Sequence, residues 1–258
     1  MKTAAIPIQE VFKRTEKKYL LTKRQMETIQ AALAERMEAD VYGKYSIYNI
    51  YFDTLDFRLI RTSIEKPVYK EKIRPRSYCI PSEEDKVFLE LKKKSQGVVG
   101  KRRVTLTLEE AEKYLLFGVY PKCADCQILH EIDFAIDRYQ VVPAAYIAYD
   151  RVALSGLEDT NLRITFDEHI TCRQTDLQLG KERYGISLLE DDQLLMEIKI
   201  PGAMPVWLAK LLSELKIFPV SYSKYGTYYK RYLLPERYLL YQKSLQRFAH
   251  AKGGVGIA

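Results

Sequence analysis

The sequence predicts an α+β fold: an eight-stranded antiparallel β sheet, closed into a barrel or strongly curled, with helices packed outside it. Two observations carry this. Eight segments rich in Tyr, Ile, Val and Thr alternate apolar and polar residues with period two, at about 45–54, 68–78, 86–94, 98–106, 128–139, 144–154, 161–169 and 193–200. Helical signals are few and well capped, and their apolar stripes need a sheet face to cover. No Pro/Gly/Ser-rich linker divides the 258 residues, so one domain over 1–258 is expected.

In chain order, Thr22 followed by Gln25 forms a capping box that opens a helix over Lys23–Met37, with Met26, Ile29, Leu33 and Met37 on one face. Thr107 with Glu110 opens a second helix that runs through about Phe117 and is closed by Gly118. Pro205, at a first-turn position, starts a third helix over Val206–Leu215. Pro235 starts a fourth, about 235–249, whose Leu239, Leu240 and Leu245 point to packing rather than to a free tail.

Composition narrows the function. With 47% apolar residues the chain has ample material for a core, which excludes wholesale disorder. The first residues lack an apolar signal region and no window approaches a membrane span, so a cytoplasmic location is expected. Cys123 and Cys126 are the one cysteine pair with ligand-like spacing, and without a second pair they read as loop thiols. His130, His169 and His250 are scattered and form no catalytic or metal-binding motif.

The charge is more informative than its sum. Residues 66–103 hold 12 Lys/Arg and 5 Asp/Glu, which accounts for the whole net charge of +7. Strand parity then sorts these charges onto one face. Lys70, Lys72, Arg74 and Arg76 share a side opposite Tyr69, Glu71, Ile73 and Pro75, and Glu90, Lys92 and Lys94 oppose Val87, Leu89 and Leu91. Lys101 and Arg103 share a side of the next strand. Further on, Arg163, Thr165 and Asp167 oppose Leu162, Ile164 and Phe166, and Glu197 and Lys199 oppose Leu194, Met196, Ile198 and Ile200. Helices are expected on the apolar faces, which turns the charged faces into the barrel. Cations lining a barrel repel one another unless an anion sits among them, and phosphate suits guanidinium forks and lysine point charges. Nucleic acid is not expected, because it is more often met by exposed basic surfaces with stacking aromatics.

A Glu-x-Lys unit recurs at Glu16–Lys18, Glu90–Lys92 and Glu197–Lys199, which hints at two related halves. Period two puts each pair on one face, where a carboxylate can hold a divalent metal and the lysine can neutralise phosphate.

Several stretches together resemble a known family. They are Phe12 to Tyr19, Tyr51-Phe-Asp-Thr54, Tyr69 to Tyr78, Phe88 to Lys92, Lys101 to Arg103, Ala148 to Arg151, Leu162 to Asp167, Met196 to Lys199 and Ser223 to Tyr225. Over about residues 10–230 they are similar, in order, to the VTC domain, the polyphosphate polymerase domain of the vacuolar transporter chaperone complex, in a stand-alone bacterial form. That family belongs to the triphosphate tunnel metalloenzymes. The resemblance implies an eight-stranded tunnel, transfer of the γ-phosphate of ATP onto a polyphosphate chain, and a divalent metal, Mn or Mg. It implies phosphate ligands at Lys18, Arg74, Arg76, Lys92, Lys101, Arg103, Arg151, Arg163, Lys199 and Lys224, supplemented by Tyr149, Ser223 and Arg61. It implies metal binding at Glu197, with Lys199 and Arg74 catalytic through positioning and charge stabilisation. Partners would be polyphosphate, triphosphate or nucleotide phosphates.

Two positions depart from the pattern. The CYTH-type triphosphatases open with Glu-x-Glu-x-Lys, whereas here Arg14 takes the first place, which weakens a two-metal hydrolase reading. Ser221 stands where a further basic residue is expected in the polymerase. Hydrolysis of inorganic triphosphate and polyphosphate binding without turnover stay open as alternatives.

Overall fold

The computed structural model describes residues 14–96, 98–122 and 126–253. Its strands are β1 (Arg14–Thr22), β2 (Met37–Asp53), β3 (Tyr69–Ser77), β4 (Lys86–Ser95), β5 (Val98–Thr107), β6 (Val142–Gly156), β7 (Arg163–Arg173), β8 (Ile186–Ser187) and β9 (Gln193–Pro201). The helices are α1 (Lys23–Leu33), α2 (Arg58–Ile64), α3 (Leu108–Phe117), α4 (Cys126–Tyr139), α5 (Val206–Glu214), α6 (Lys224–Tyr228) and α7 (Leu234–Gly253), with a π turn over Tyr229–Leu233 between the last two.

The strands are hydrogen-bonded in the order β1-β9-β7-β6-β2-β3-β4-β5, with β8 beside β7. Eight strands on the path match the expected number, but not the expected set. Residues 128–139 form α4 rather than a strand, because Leu129, Ile132 and Ala135 recur at helical spacing and are all fully buried. The eighth place is taken by β1, whose charged repeat was read as strand-like but not counted. β1 and β5 end the path, and no pairing between them is present among the described residues, so the hydrogen bonding does not show the expected barrel closure.

The capping boxes at Thr22/Gln25 and Thr107/Glu110 are both made, and Gly118 closes α3 in the left-handed conformation. α1 ends at Leu33, earlier than expected, and Met37 instead begins β2. α2 was not foreseen. Its signal is Asp53, whose carboxylate accepts hydrogen bonds from the backbone N–H groups of Thr54, Leu59 and Ile60 at 2.8, 2.7 and 2.9 Å, doing the work of a cap. On α7, Leu239 and Leu240 are exposed rather than packed; the side chains from 244 onward lie outside the described residues, as do Phe12 and Cys123.

The chain forms two compact units. The first comprises Met1–Tyr45, Asp150–Glu168 and Leu189–Ser221, the second Ser46–Tyr149, His169–Leu188 and Tyr222–Ala258. In the first, Met26, Ile29 and Leu33 of α1 and Leu208 and Leu212 of α5 share a buried cluster with Tyr19 and Leu21 of β1, Ile164 and Phe166 of β7 and Leu194, Met196 and Ile198 of β9. In the second, α3 and α4 cover Ile50 and Phe52 of β2, Ile73 of β3, Val87, Leu89 and Leu91 of β4 and Val104 and Leu106 of β5. Helices therefore occupy the apolar side in each unit, and period two leaves the charged residues of the same strands on the other side.

Leu33 is fully enclosed in the first cluster, whereas the Thr22 cap is solvent-exposed. Leu33→Ala is expected to cost about 2–5 kcal/mol of unfolding free energy and Thr22→Ala only about 1 kcal/mol, read from the midpoints of urea unfolding curves.

Candidate functional site

In the second unit the register of β3, β4 and β5 arranges the charged face in rungs. Arg74 lies opposite Glu90, which lies opposite Arg103; Lys72 lies opposite Lys92, which lies opposite Lys101. The first rung neutralises itself in part. Two nitrogens of Arg74 reach Oε2 of Glu90 at 3.0 Å, while Lys101 Nζ at 2.8 Å and Arg103 Nε at 3.0 Å reach Oε1. Glu90 is 2% exposed, and burial pushes its carboxyl pKa up. The cations Arg74, Arg76 and Lys101 outweigh burial and hold it well below the usual carboxylate range. No acidic residue stands in register on the lysine rung: Lys72 lies opposite Lys92, a like-charge pair across the sheet, while Lys101 reaches along the strand to Glu90.

Around this face the polar contacts are built in depth. Arg74 Nη1 donates to the Tyr51 hydroxyl at 2.6 Å, and Arg76 Nε donates to Asn49 Oδ1 at 2.9 Å. Tyr51 stacks on Tyr225 with ring centroids 4.9 Å apart, and the Tyr225 hydroxyl donates to Asp53 at 3.0 Å. Ser223 caps α6, its hydroxyl accepting from Gly226 N–H, and Lys72 Nζ reaches the same oxygen at 3.4 Å. Lys224 Nζ sits 4.1 Å from the centre of the Tyr149 ring, a cation–π contact. Tyr51 is enclosed by this group. Burial pushes its phenol up, but Arg74, Lys72, Arg76 and Lys224 bring it down to about 8.

The first unit repeats the motif with different residues. Glu197 on β9 is in register with Lys18 on β1 and Thr165 on β7, and Lys199 with Glu16 and Arg163. Lys199 Nζ lies 2.7 Å and Lys18 Nζ 3.7 Å from the Glu197 carboxylate. Burial raises the pKa of this carboxyl, but Lys18, Lys199 and Arg151 hold it well below its ordinary range. Arg151 grips Asp167 through two parallel contacts of 2.6 and 2.7 Å.

Most residues implied by the sequence fall on these two faces. Arg74, Arg76, Lys92, Lys101 and Arg103 lie on the charged strand side of the second unit, with Tyr149, Ser223 and Lys224 in the same unit, whereas Lys18, Arg151, Arg163, Glu197 and Lys199 belong to the first. Arg61 is the exception: it is exposed on α2 and ion-paired with Asp56 rather than carried on a strand. Sequence reasoning left Glu90 and Tyr51 out of the site. Glu90 was visible in the Glu-x-Lys repeat and Tyr51 in the Tyr-Phe-Asp-Thr stretch, but their partners are set by register.

A family model described as the VTC domain matches residues 13–233. The chain belongs to the VTC domain family. No curated protein matches this VTC domain at a significant level. Its fold is similar to that of a candidate adenylate cyclase from Bacillus halodurans, 18% identical with a TM-score of 0.51, an overlap covering 81% of this chain and 92% of that one. A candidate adenylate cyclase from Vibrio parahaemolyticus overlaps 83% of this chain and 96% of its own at 9% identity and a TM-score of 0.43. No helix among the described residues is long and apolar enough to cross a membrane.

The family implies a divalent metal, and the donors near Glu197 fit one of modest demand. No group of three or more His, Cys, Asp or Glu side chains able to hold a metal occurs among the described residues. Mg²⁺ commonly takes one or two carboxylates and completes its shell with water and substrate phosphate. Glu197 supplies one carboxylate, and the buried Thr165 hydroxyl in register with it has no hydrogen-bond partner.

Glu90→Gln is expected to lower the thermal midpoint by several degrees by leaving Arg74, Lys101 and Arg103 without their counter-charge, and added tripolyphosphate is expected to restore part of the loss. Tyr51 yields a pH signature. An ordinary phenol titrates near about 10, so any stability this depressed group adds is fully present above that pH and lost as pH falls through about 8. An anion bound to the same cations favours the neutral phenol. Calorimetric titration with tripolyphosphate should therefore show affinity falling as pH rises through about 8 in the wild type, with that fall absent in Tyr51→Phe.

Proposed function

We propose that this VTC domain holds an inorganic phosphate chain on its cationic sheet face and extends it with the γ-phosphate of ATP, as a polyphosphate polymerase. The observation that carries the reading is the excess of cations over carboxylate on this face: Lys72 lies directly opposite Lys92, and Lys101 beside them shares the one buried carboxylate, Glu90, with Arg74 and Arg103. Like charges in register destabilise a sheet, and a polyanion laid across them turns that cost into binding energy. The tunnel form of the sheet is part of the same proposal.

Phosphoryl transfer asks the protein mainly for positioning and charge neutralisation. Arg74 is suited to positioning, because Glu90 and the Tyr51 hydroxyl hold its guanidinium from two directions. Arg76, Lys92, Lys101 and Arg103, with Ser223, Lys224 and Tyr149, would bind phosphate oxygens. In the first unit Lys18, Lys199, Arg151 and Arg163 offer further cations. Glu197, with the Thr165 hydroxyl, would hold Mn²⁺ or Mg²⁺, which when bound neutralises phosphate charge. No protein nucleophile is required, and the terminal phosphate of the growing chain, or an initial phosphate, attacks the γ-phosphorus while ADP leaves.

The test is to incubate purified protein with ATP and Mn²⁺ and to follow long polyphosphate, free phosphate and binding separately. Polymer is expected from the wild type. Phosphate release without polymer would mean a triphosphatase, and binding alone a polyphosphate-binding module. Lys72→Ala combined with Lys92→Ala is expected to abolish polymer formation while leaving the fold intact, since it relieves repulsion. Arg74→Ala is a poorer probe because it strips Glu90 of a partner. Polymer formation at the wild-type rate by the double variant would remove the lysine rung from the site.

A further inference from the structure

The charged face of the second unit ends, beyond Glu90, on aromatic side chains. One same-side step past the Glu90 rung, Arg76 lies opposite Phe88, which lies opposite Thr105. Tyr78 follows β3 by one residue, and its contacts keep it on this side of the sheet. Its ring meets that of Phe88 edge to face with centroids 5.5 Å apart, and its hydroxyl accepts from Arg103 Nη2 at 3.3 Å. The Arg103 guanidinium in turn lies over the Phe88 ring, 4.5 Å from its centre, while its Nε donates to Glu90.

Access separates these rings from the other aromatics of the site. Tyr51 and Tyr149 are buried, whereas Tyr78 is 38% exposed and Phe88 is half-buried. An exposed ring already fixed at its edge and at its hydroxyl loses little freedom when a planar ligand covers it, so stacking there costs little ordering. Inorganic phosphate gains nothing from such a surface, because the negative face of an aromatic ring repels its oxygens. A nucleobase does gain, and every base has a face to stack. Arg76, Phe88 and Thr105 put no amide or carboxylate in register to read a base edge. Two same-side steps, roughly 14 Å, separate this rung from Lys72–Lys92–Lys101. A nucleoside triphosphate laid along the strands covers that span, its base at the rings and its phosphates running past Arg74 and Arg103 toward the lysines.

We propose that Tyr78 and Phe88 form a nucleobase platform at the β3–β4 end of the cationic face, which distinguishes a nucleoside triphosphate from a bare phosphate chain but not one base from another. The proposal rests on reading the face as a phosphate site, and it adds the orientation of the donor nucleotide.

The experiment titrates full-length protein, at one fixed salt concentration, with ATP, GTP, tripolyphosphate and ribose 5′-triphosphate, which keeps the sugar and phosphates of a nucleotide but lacks the base. For the wild type, ATP and GTP should bind alike within about threefold, and about tenfold or more tighter than ribose 5′-triphosphate. In Tyr78→Leu both nucleotides should weaken to the level of ribose 5′-triphosphate, with affinity for the two base-free ligands unchanged within about twofold. Tyr78→Phe, which keeps the ring, should retain the preference for nucleotides. If the wild type bound ribose 5′-triphosphate as tightly as ATP, the platform would be overturned without recourse to any variant, and tripolyphosphate binding would leave the functional reading in place. Equal losses for all four ligands in Tyr78→Leu would mean that the ring only props Arg103, and no loss for any would remove Tyr78 from the site; either result overturns the proposal. A single-stranded oligonucleotide without a triphosphate that bound more tightly than ATP and weakened in Tyr78→Leu would make the rings a nucleic-acid surface and overturn the assignment. If the wild type bound none of the phosphate ligands, the functional reading and the platform would fall together.

Discussion

The arrangement on which the rest depends is a buried carboxylate set among cations. A sheet face bearing Arg74, Arg76, Lys72, Lys92, Lys101 and Arg103 would oppose its own folding if nothing intervened. Glu90, almost wholly buried and ionised, is the centre to which Arg74, Lys101 and Arg103 converge. One carboxylate cannot cancel them all, so the face folds without ligand and still keeps a positive excess. Glu197 does the same in the other unit, between Lys18 and Lys199. That the Glu-x-Lys repeat supplies both carboxylates gives physical content to the hint of two related halves.

Rigidity around the second unit's face comes from hydrogen bonds and ring stacking. Asp53 caps α2 through the backbone N–H groups of Leu59 and Ile60 and also accepts from Thr54 N–H and the Tyr225 hydroxyl, so a single carboxylate fixes a helix start and the hydroxyl of a residue on α6. Burial raises its pKa against these hydrogen bonds. Tyr225 stacks on Tyr51, which accepts from Arg74, and Ser223 and Lys224 open the same short helix. The chain of contacts keeps guanidinium and ammonium groups in fixed orientations, the condition under which electrostatic stabilisation needs little reorganisation. The same network makes Tyr51 sensitive to the charge it surrounds.

How far the sequence was legible varied with the range of the interaction. Capping boxes are contacts between residues three apart, and both were read correctly. Strand parity is local too, so the charged and apolar faces of β3, β4, β5, β7 and β9 came out as expected. Residues 128–139 failed because Ile128, Ile132, Phe134, Ile136 and Tyr139 favour strand by type, while the spacing of Leu129, Ile132 and Ala135 needed a helix to bury them together. α2 escaped because its cap sits five residues before its first turn. Glu90 and Tyr51 escaped because their chemistry is made across the sheet.

By itself, then, the sequence determined which residue types line each strand face, where the capped helices begin, and that a cationic face exists, since these follow from period and charge within a few residues. Register and pairing, which join segments far apart in the chain, decided the rest. They placed Glu90 among Arg74, Arg103 and Lys101 and set Lys72 opposite Lys92. They enclosed Tyr51 and put Arg61 on a helix with Asp56. A one-residue slip in register would turn every one of these side chains to the other face, which is why local pattern alone could name the charges but not their partners.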